Sequence, residues 1–196
     1  MKINKYNFLI LVFFLGAVSM NAQDKKSKKH KKEEALVEAA PAVLVVEGLN
    51  LGNKAPEIEM ADPAGQIVKL SSLKGKIVLV DFWASWCRPC RMENPAVVAA
   101  WAKYKDQKLK NGNGFTVYSV SLDQNKEAWQ QGINTDGLVW PSHVSDLLGW
   151  NNAAAIKYGV GGIPTNFLID GDGIIIGKSL RGADLEKALE NIVVKN

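Results

Sequence analysis

The chain has 196 residues, room for one ordinary domain plus extensions, and its 47% apolar content allows a sizeable core. The formal charge of +4 is concentrated at one end: residues 1–48 hold 8 lysines against 5 acids, leaving 16 basic and 15 acidic residues for 49–196. The presumed domain is therefore near neutral, and no nucleic-acid partner is expected.

Residues 1–22 read as a secretory signal peptide. Lys2 and Lys5 give a positive start, and Phe8 to Val18 is an apolar run of 11 residues, short for a bilayer span. Ser19-Met20-Asn21-Ala22 offers a cut after Ala22, with Met20 standing where a small residue is preferred; the alternative is an uncleaved anchor. Export to a periplasm is the expectation. Residues 23–48 read as a charged linker, because Lys25-Lys26-Ser27-Lys28-Lys29-His30-Lys31-Lys32 repels itself and cannot build a core. The block is expected to be a solvated tether, with weak contact to anionic lipid headgroups as the other reading.

The domain is placed at 49–196. Glu57 to Ala61 and Gln66 to Leu70, around the turn residues Asp62-Pro63-Ala64-Gly65, predict an N-terminal β-hairpin. Ile77 to Ala84 is apolar and β-branched, a buried strand. Arg91 to Lys110 predicts a helix with Val97, Val98, Trp101 and Tyr104 on its core face, a kink at Pro95, and an end at Asn111-Gly112-Asn113-Gly114. Phe115 to Ser121 predicts a strand and Gln124 to Ile133 a helix capped by Asp123. A short strand is expected near Ser142 to Val144 and a helix from Asn151 or Asn152 to Tyr158. Thr165 to Asp170 and Ile174 to Lys178 predict a hairpin through Gly171-Asp172-Gly173, and Asp184 to Val194 a closing helix. Strands mixed with covering helices predict an α/β class, a central mixed sheet flanked by helices.

The only two cysteines lie in Val80-Asp81-Phe82-Trp83-Ala84-Ser85-Trp86-Cys87-Arg88-Pro89-Cys90, where a strand gives way to a helix. A helix N-terminus carries free N–H groups and partial positive charge, which favours a thiolate, and the thiolate is the nucleophile. A C-x-x-C pair at such a corner can cycle between dithiol and disulfide. Cys87, at the exposed side of the corner, is expected to attack, and Cys90, one turn on and more buried, to resolve. A purely structural bridge would close so short a loop that it stabilises by only about 2 kcal/mol. Zinc needs four ligands, and the domain adds only His143 to the pair. Arg88 adds positive charge beside the thiols, and Pro89 suits a first helical turn. Asp81, in an otherwise apolar run, should have a raised pKa through desolvation.

This stretch resembles the active-site run of the thioredoxin superfamily. Ala55-Pro56, Leu70-Ser71-Ser72-Leu73-Lys74-Gly75-Lys76, Arg91-Met92-Glu93-Asn94-Pro95 and Gly162-Ile163-Pro164-Thr165-Asn166-Phe167-Leu168-Ile169-Asp170 place it nearest the exported TlpA/ResA-like disulfide reductases. The resemblance spans roughly Leu49 to the C-terminus and implies a thioredoxin-like fold and a protein-disulfide reductase. It implies that Asp81 moves protons to and from Cys90, that Glu93 tunes reactivity and recognition, and that Pro164 is a cis-proline facing the cysteines. Substrate contact is expected at Trp86, Arg88, Pro89, Ile163 and Pro164. Disulfide-bearing proteins are the expected substrates, with an upstream membrane or periplasmic electron donor. No cofactor is implied, since the cysteine pair carries the electrons. Glu93 as a plain first-turn acid is the competing reading. Peroxidase chemistry on a related fold would need a Pro and a Thr or Ser where Val80 and Ala84 stand. A non-catalytic module would not need the intact pair.

Overall fold

In a computed structural model, residues 45–195 are described. The signal peptide expected at 1–22 and most of the linker expected at 23–48 lie outside them. Among the described residues, no helix is long and apolar enough to cross a membrane.

The chain enters beside Lys54, whose N–H donates to Val46 O while the Gly48 N–H donates to Lys54 O. Strands β1 (Glu59–Ala61) and β2 (Ile67–Lys69) pair antiparallel around the Asp62 turn. The Asp62 carboxylate fixes this turn by accepting from the Ala64 and Gln66 N–H groups at 2.8 Å each.

The central sheet has the order β7-β6-β3-β8-β9. Its axis is β3 (Ile77–Trp83), buried at every position. A strand covered on both faces reads as a continuous apolar run rather than an alternating one, which is why this stretch stood out in the sequence. On one side β3 pairs parallel with β6 (Phe115–Ser121), and β6 pairs parallel with the edge strand β7 (His143–Val144). On the other side it pairs antiparallel with β8 (Thr165–Ile169), which continues into β9 (Ile175–Lys178). The sheet is mixed, and helices flank it.

Helix α1 (Arg88–Tyr104) follows β3 directly. It buries Cys90, Asn94, Val97, Ala100 and Tyr104, a stripe at helical spacing. The expected helix over Arg91 to Lys110 is corrected at both ends. It begins at Arg88 because Cys87 is itself the N-cap, its sulfur accepting from the Cys90 N–H at 3.2 Å. It runs through Pro95 and stops at Tyr104, where a two-strand ribbon takes over: β4 (Lys108–Leu109) against β5 (Gly112–Asn113). Asn111, with φ 56°, turns this ribbon instead of capping a helix. Gly112 lies so close to Ile77 that a Cβ would stand 2.8 Å from the Ile77 side chain.

Helix α2 (Lys126–Thr135) is capped by Asn125, whose side chain accepts from the Ala128 N–H at 2.7 Å. Asp123, expected as this cap, is committed elsewhere. Helix α3 (Ala153–Lys157) is capped by Asn152 as expected, and α4 (Ala183–Glu190) packs on α1. The last helix is shorter than expected because Ile192 to Val194 pairs with the ribbon: the Lys110 N–H donates to Ile192 O and the Val194 N–H to Lys108 O.

Candidate active site

The alternation of β3 sorts its last side chains to opposite faces. Phe82 packs on Tyr158 and Phe167. Its neighbour Asp81 points to the other face, into a small cavity that Cys90, Glu93, Val97, Pro164 and Leu185 also line.

Cys87 and Cys90 are joined by a disulfide with a Cα–Cα distance of 5.3 Å. The bond lies at the N-terminus of α1, where the free N–H groups and the helix dipole favour negative charge on sulfur. Cys87 was expected to be the exposed member. In this oxidised state it is 4% exposed and Cys90 1%. What separates the two sulfurs is position: Cys90 lines the cavity with Asp81, whereas Cys87 sits at the cap between the exposed Trp86 and Arg88.

Asp81 is 7% exposed and stands between Ser119 of β6 and Asn166 of β8 in the strand register. Burial pushes its carboxyl up to about 7, and the charge of Glu93 adds to the shift. Glu93 is half-buried and accepts from the Gly182 N–H at 3.0 Å, tying α1 to the start of α4. The Ile163–Pro164 peptide is cis. Pro164 is buried, and its carbonyl accepts from the Arg181 guanidinium at 2.7 Å. Asp81, Cys90, Glu93 and Pro164 thus converge on one cavity. Trp86, Arg88 and Pro89 face outward, and Ile163 is half-buried before the proline.

The loop before the cysteines is held by groups that sequence reasoning passed over. Every polar group of Ser85 is engaged. Its N–H and hydroxyl donate to the Asp123 carboxylate at 2.9 and 2.6 Å, and its carbonyl accepts from Arg91 at 3.1 Å. Arg91 is paired in turn with Asp136, which also accepts from the Asn94 amide at 2.6 Å. Asp123 takes a further bond from the Ser121 hydroxyl at 2.7 Å. Asp123 follows β6 and Asp136 follows α2, so no local pattern in the sequence joins them to Ser85.

A strand–helix corner with a sulfur pair, a buried carboxyl behind it and a cis-proline beside it, on a mixed sheet, defines the thioredoxin-fold thiol–disulfide oxidoreductases. The AhpC/TSA family matches residues 51–178. The thiol-disulfide oxidoreductase ResA of Bacillus thuringiensis is 31% identical over 152 residues, covering 76% of this chain and 80% of the relative. The thioredoxin domain of a thiol-disulfide oxidoreductase from Bacteroides vulgatus superposes with a TM-score of 0.67 at 36% identity, over 75% of this chain and 100% of that one. A thiol:disulfide interchange protein from a Bacteroides species gives a TM-score of 0.64 at 36% identity, over 74% and 91% of the two chains. The chain belongs to the AhpC/TSA family, among its ResA-like thiol–disulfide oxidoreductases.

Proposed function

We propose that this oxidoreductase reduces disulfides in protein substrates, with Cys87 as the attacking and Cys90 as the resolving sulfur. The observation that carries the reading is the shared cavity of Cys90, Asp81 and the cis Pro164, which Cys87 at the helix cap does not line. In the dithiol state, the Cys87 thiolate attacks a substrate disulfide. A mixed disulfide forms and one substrate thiolate leaves. Asp81 takes the Cys90 proton, a task suited to a carboxyl poised near neutral pH. The Cys90 thiolate then attacks the Cys87 sulfur, releasing the second substrate thiolate and closing the Cys87–Cys90 bond. Two electrons pass to the substrate, and an upstream dithiol donor restores the pair.

Glu93 biases this cavity through its charge on Asp81. The backbone before Pro164, at Ile163, receives an extended substrate segment, with Trp86, Arg88 and Pro89 as the outward contacts. Residues 49–196 form the catalytic domain of this proposal. The N-terminal composition supports export to the cell envelope, with 1–22 as the signal and 23–48 as a tether that touches anionic headgroups weakly.

Insulin reduction with dithiothreitol tests the reading. The protein should accelerate precipitation of the freed chains, and Cys87→Ser should abolish the acceleration. Hydrogen peroxide consumption should stay at the uncatalysed rate, since Val80 and Ala84 replace the residues a peroxidase needs. No acceleration, or peroxide turnover that depends on Cys87, would overturn it.

A further inference from the structure

A second tryptophan stands against Trp86, brought there by a distant part of the chain. Trp150 lies in a single 3-10 turn (Gly149–Asn151) between β7 and α3. Its ring centroid is 6.2 Å from that of Trp86, with the planes tilted by 55°. Both indoles are open to solvent, Trp86 at 54% and Trp150 at 50%, and the neighbouring Leu148 is exposed as well. The two half-exposed indoles form an apolar step that starts at the residue before Cys87.

The loop that presents Trp150 is built to hold it. One Asp146 oxygen accepts from the Leu148 N–H at 3.1 Å and the Asn152 amide at 2.8 Å, and the other accepts from the Ala153 N–H at 2.9 Å. The Ser145 hydroxyl accepts from the Leu147 N–H at 3.1 Å and donates to Ser121 O at 2.8 Å, linking the loop to β6. Leu147 has φ 60°, a left-handed conformation costly for a side chain with a Cβ, and it is held by packing on the core. Gly149, also at φ 60°, takes the left-handed conformation without the cost a side chain would carry, and a Cβ there would press on the Gln124 side chain at 3.0 Å. Backbone held in a costly geometry to expose an indole is organised for contact, and a rigid aromatic loses little entropy when it is covered.

We infer that Trp86 and Trp150 together form the specificity platform for the substrate polypeptide, receiving an apolar or aromatic side chain next to the substrate's cysteine. The inference rests on the thiol–disulfide reading above and deepens it. The occupant follows from continuity with the sulfur. A substrate joined to Cys87 brings its residues beside Trp86, and Trp150 lies against that indole. A small disulfide such as oxidised glutathione reaches Cys87 but offers no apolar side chain to cover both indoles. The platform therefore selects protein segments exposed in an extended form, with a large apolar residue near the disulfide.

The test compares two substrates on the full chain with Trp150→Ala and Trp150→Phe. One substrate is a peptide disulfide with Phe or Leu beside its cysteine, and the other is oxidised glutathione. Trp150→Ala should raise KM for the peptide about tenfold with kcat unchanged, as for an anchoring aromatic. Turnover of glutathione should not move, and Trp150→Phe should recover most of the peptide KM. An unchanged peptide KM would overturn the inference. So would an equal loss on both substrates, which would make Trp150 a mere support of the active-site loop. Failure of the unsubstituted protein on both substrates would instead overturn the thiol–disulfide reading and the inference with it.

Discussion

One carboxyl, that of Asp81, is buried beside Cys90 with its pKa raised. Asp81 interrupts the apolar run of β3, so its burial was legible in the sequence, and the structure adds Glu93 as the neighbouring charge. With a folded pKa of about 7 against an ordinary 3.8, the folded state keeps a proton that the unfolded chain has already released. Stability therefore falls as pH rises from about 4 to about 7, and the full penalty, on the order of 4 kcal/mol, stands above that window. Asp81→Asn removes the penalty. The variant should unfold at higher denaturant than the parent at pH 8 and at a similar concentration near pH 4, while its insulin reduction slows and loses the inflection near pH 7. A stability difference independent of pH would contradict the assignment of the raised pKa to Asp81. The sequence places Cys87 at a corner but does not show how far the surrounding chain covers it, and in the oxidised state it is buried.

At the scale of elements, the corner between β3 and α1 is fixed by two carboxylates from other segments. Asp123 bonds the Ser85 N–H and hydroxyl, and the Arg91–Asp136 pair holds the Ser85 carbonyl. Helix α2 approaches this corner closely enough that a Cβ on Gly132 would lie 3.0 Å from that of Ser85. Asp123→Ala leaves the buried Ser85 N–H and two hydroxyls without their acceptor and should cost roughly 1–3 kcal/mol, read as a lower denaturation midpoint. The alkylation rate profile of Cys87 should shift with it, because Cys87 follows Ser85 by two residues. A midpoint and a rate profile both unchanged would show that Ser85 needs no anchor. In the sequence Asp123 looked like a helix cap because it precedes a helical pattern. The true cap, Asn125, lies two residues on. The same limit hid the β4–β5 ribbon: Asn-Gly tolerates both a helix end and a hairpin turn, and the ribbon's bonds to the distant Ile192 to Val194 segment are not visible locally.

For the whole molecule, the strands of the central sheet were legible along the chain because the strongest patterns, β3, β6 and the β8–β9 hairpin, form its centre. The convergence of Pro164 with Asp81, Cys90 and Glu93 could be expected only through the resemblance, since Pro164 is far from the other three in the chain and is brought to them by the β3–β8 pairing. Trp150 was missed because the segment from Thr135 to Ser145 and the turn after it carry no periodic signal. The central claim is that this assembly passes electrons to protein disulfides in two steps, with Cys87 first and Cys90 second. Trapping in cells measures it directly. Cys90→Ser blocks only the resolving step, so mixed disulfides with substrate proteins should accumulate and be recovered under non-reducing conditions, while Cys87→Ser should trap little. Trapping by Cys87→Ser as strong as by Cys90→Ser, or trapping by neither, would contradict the account.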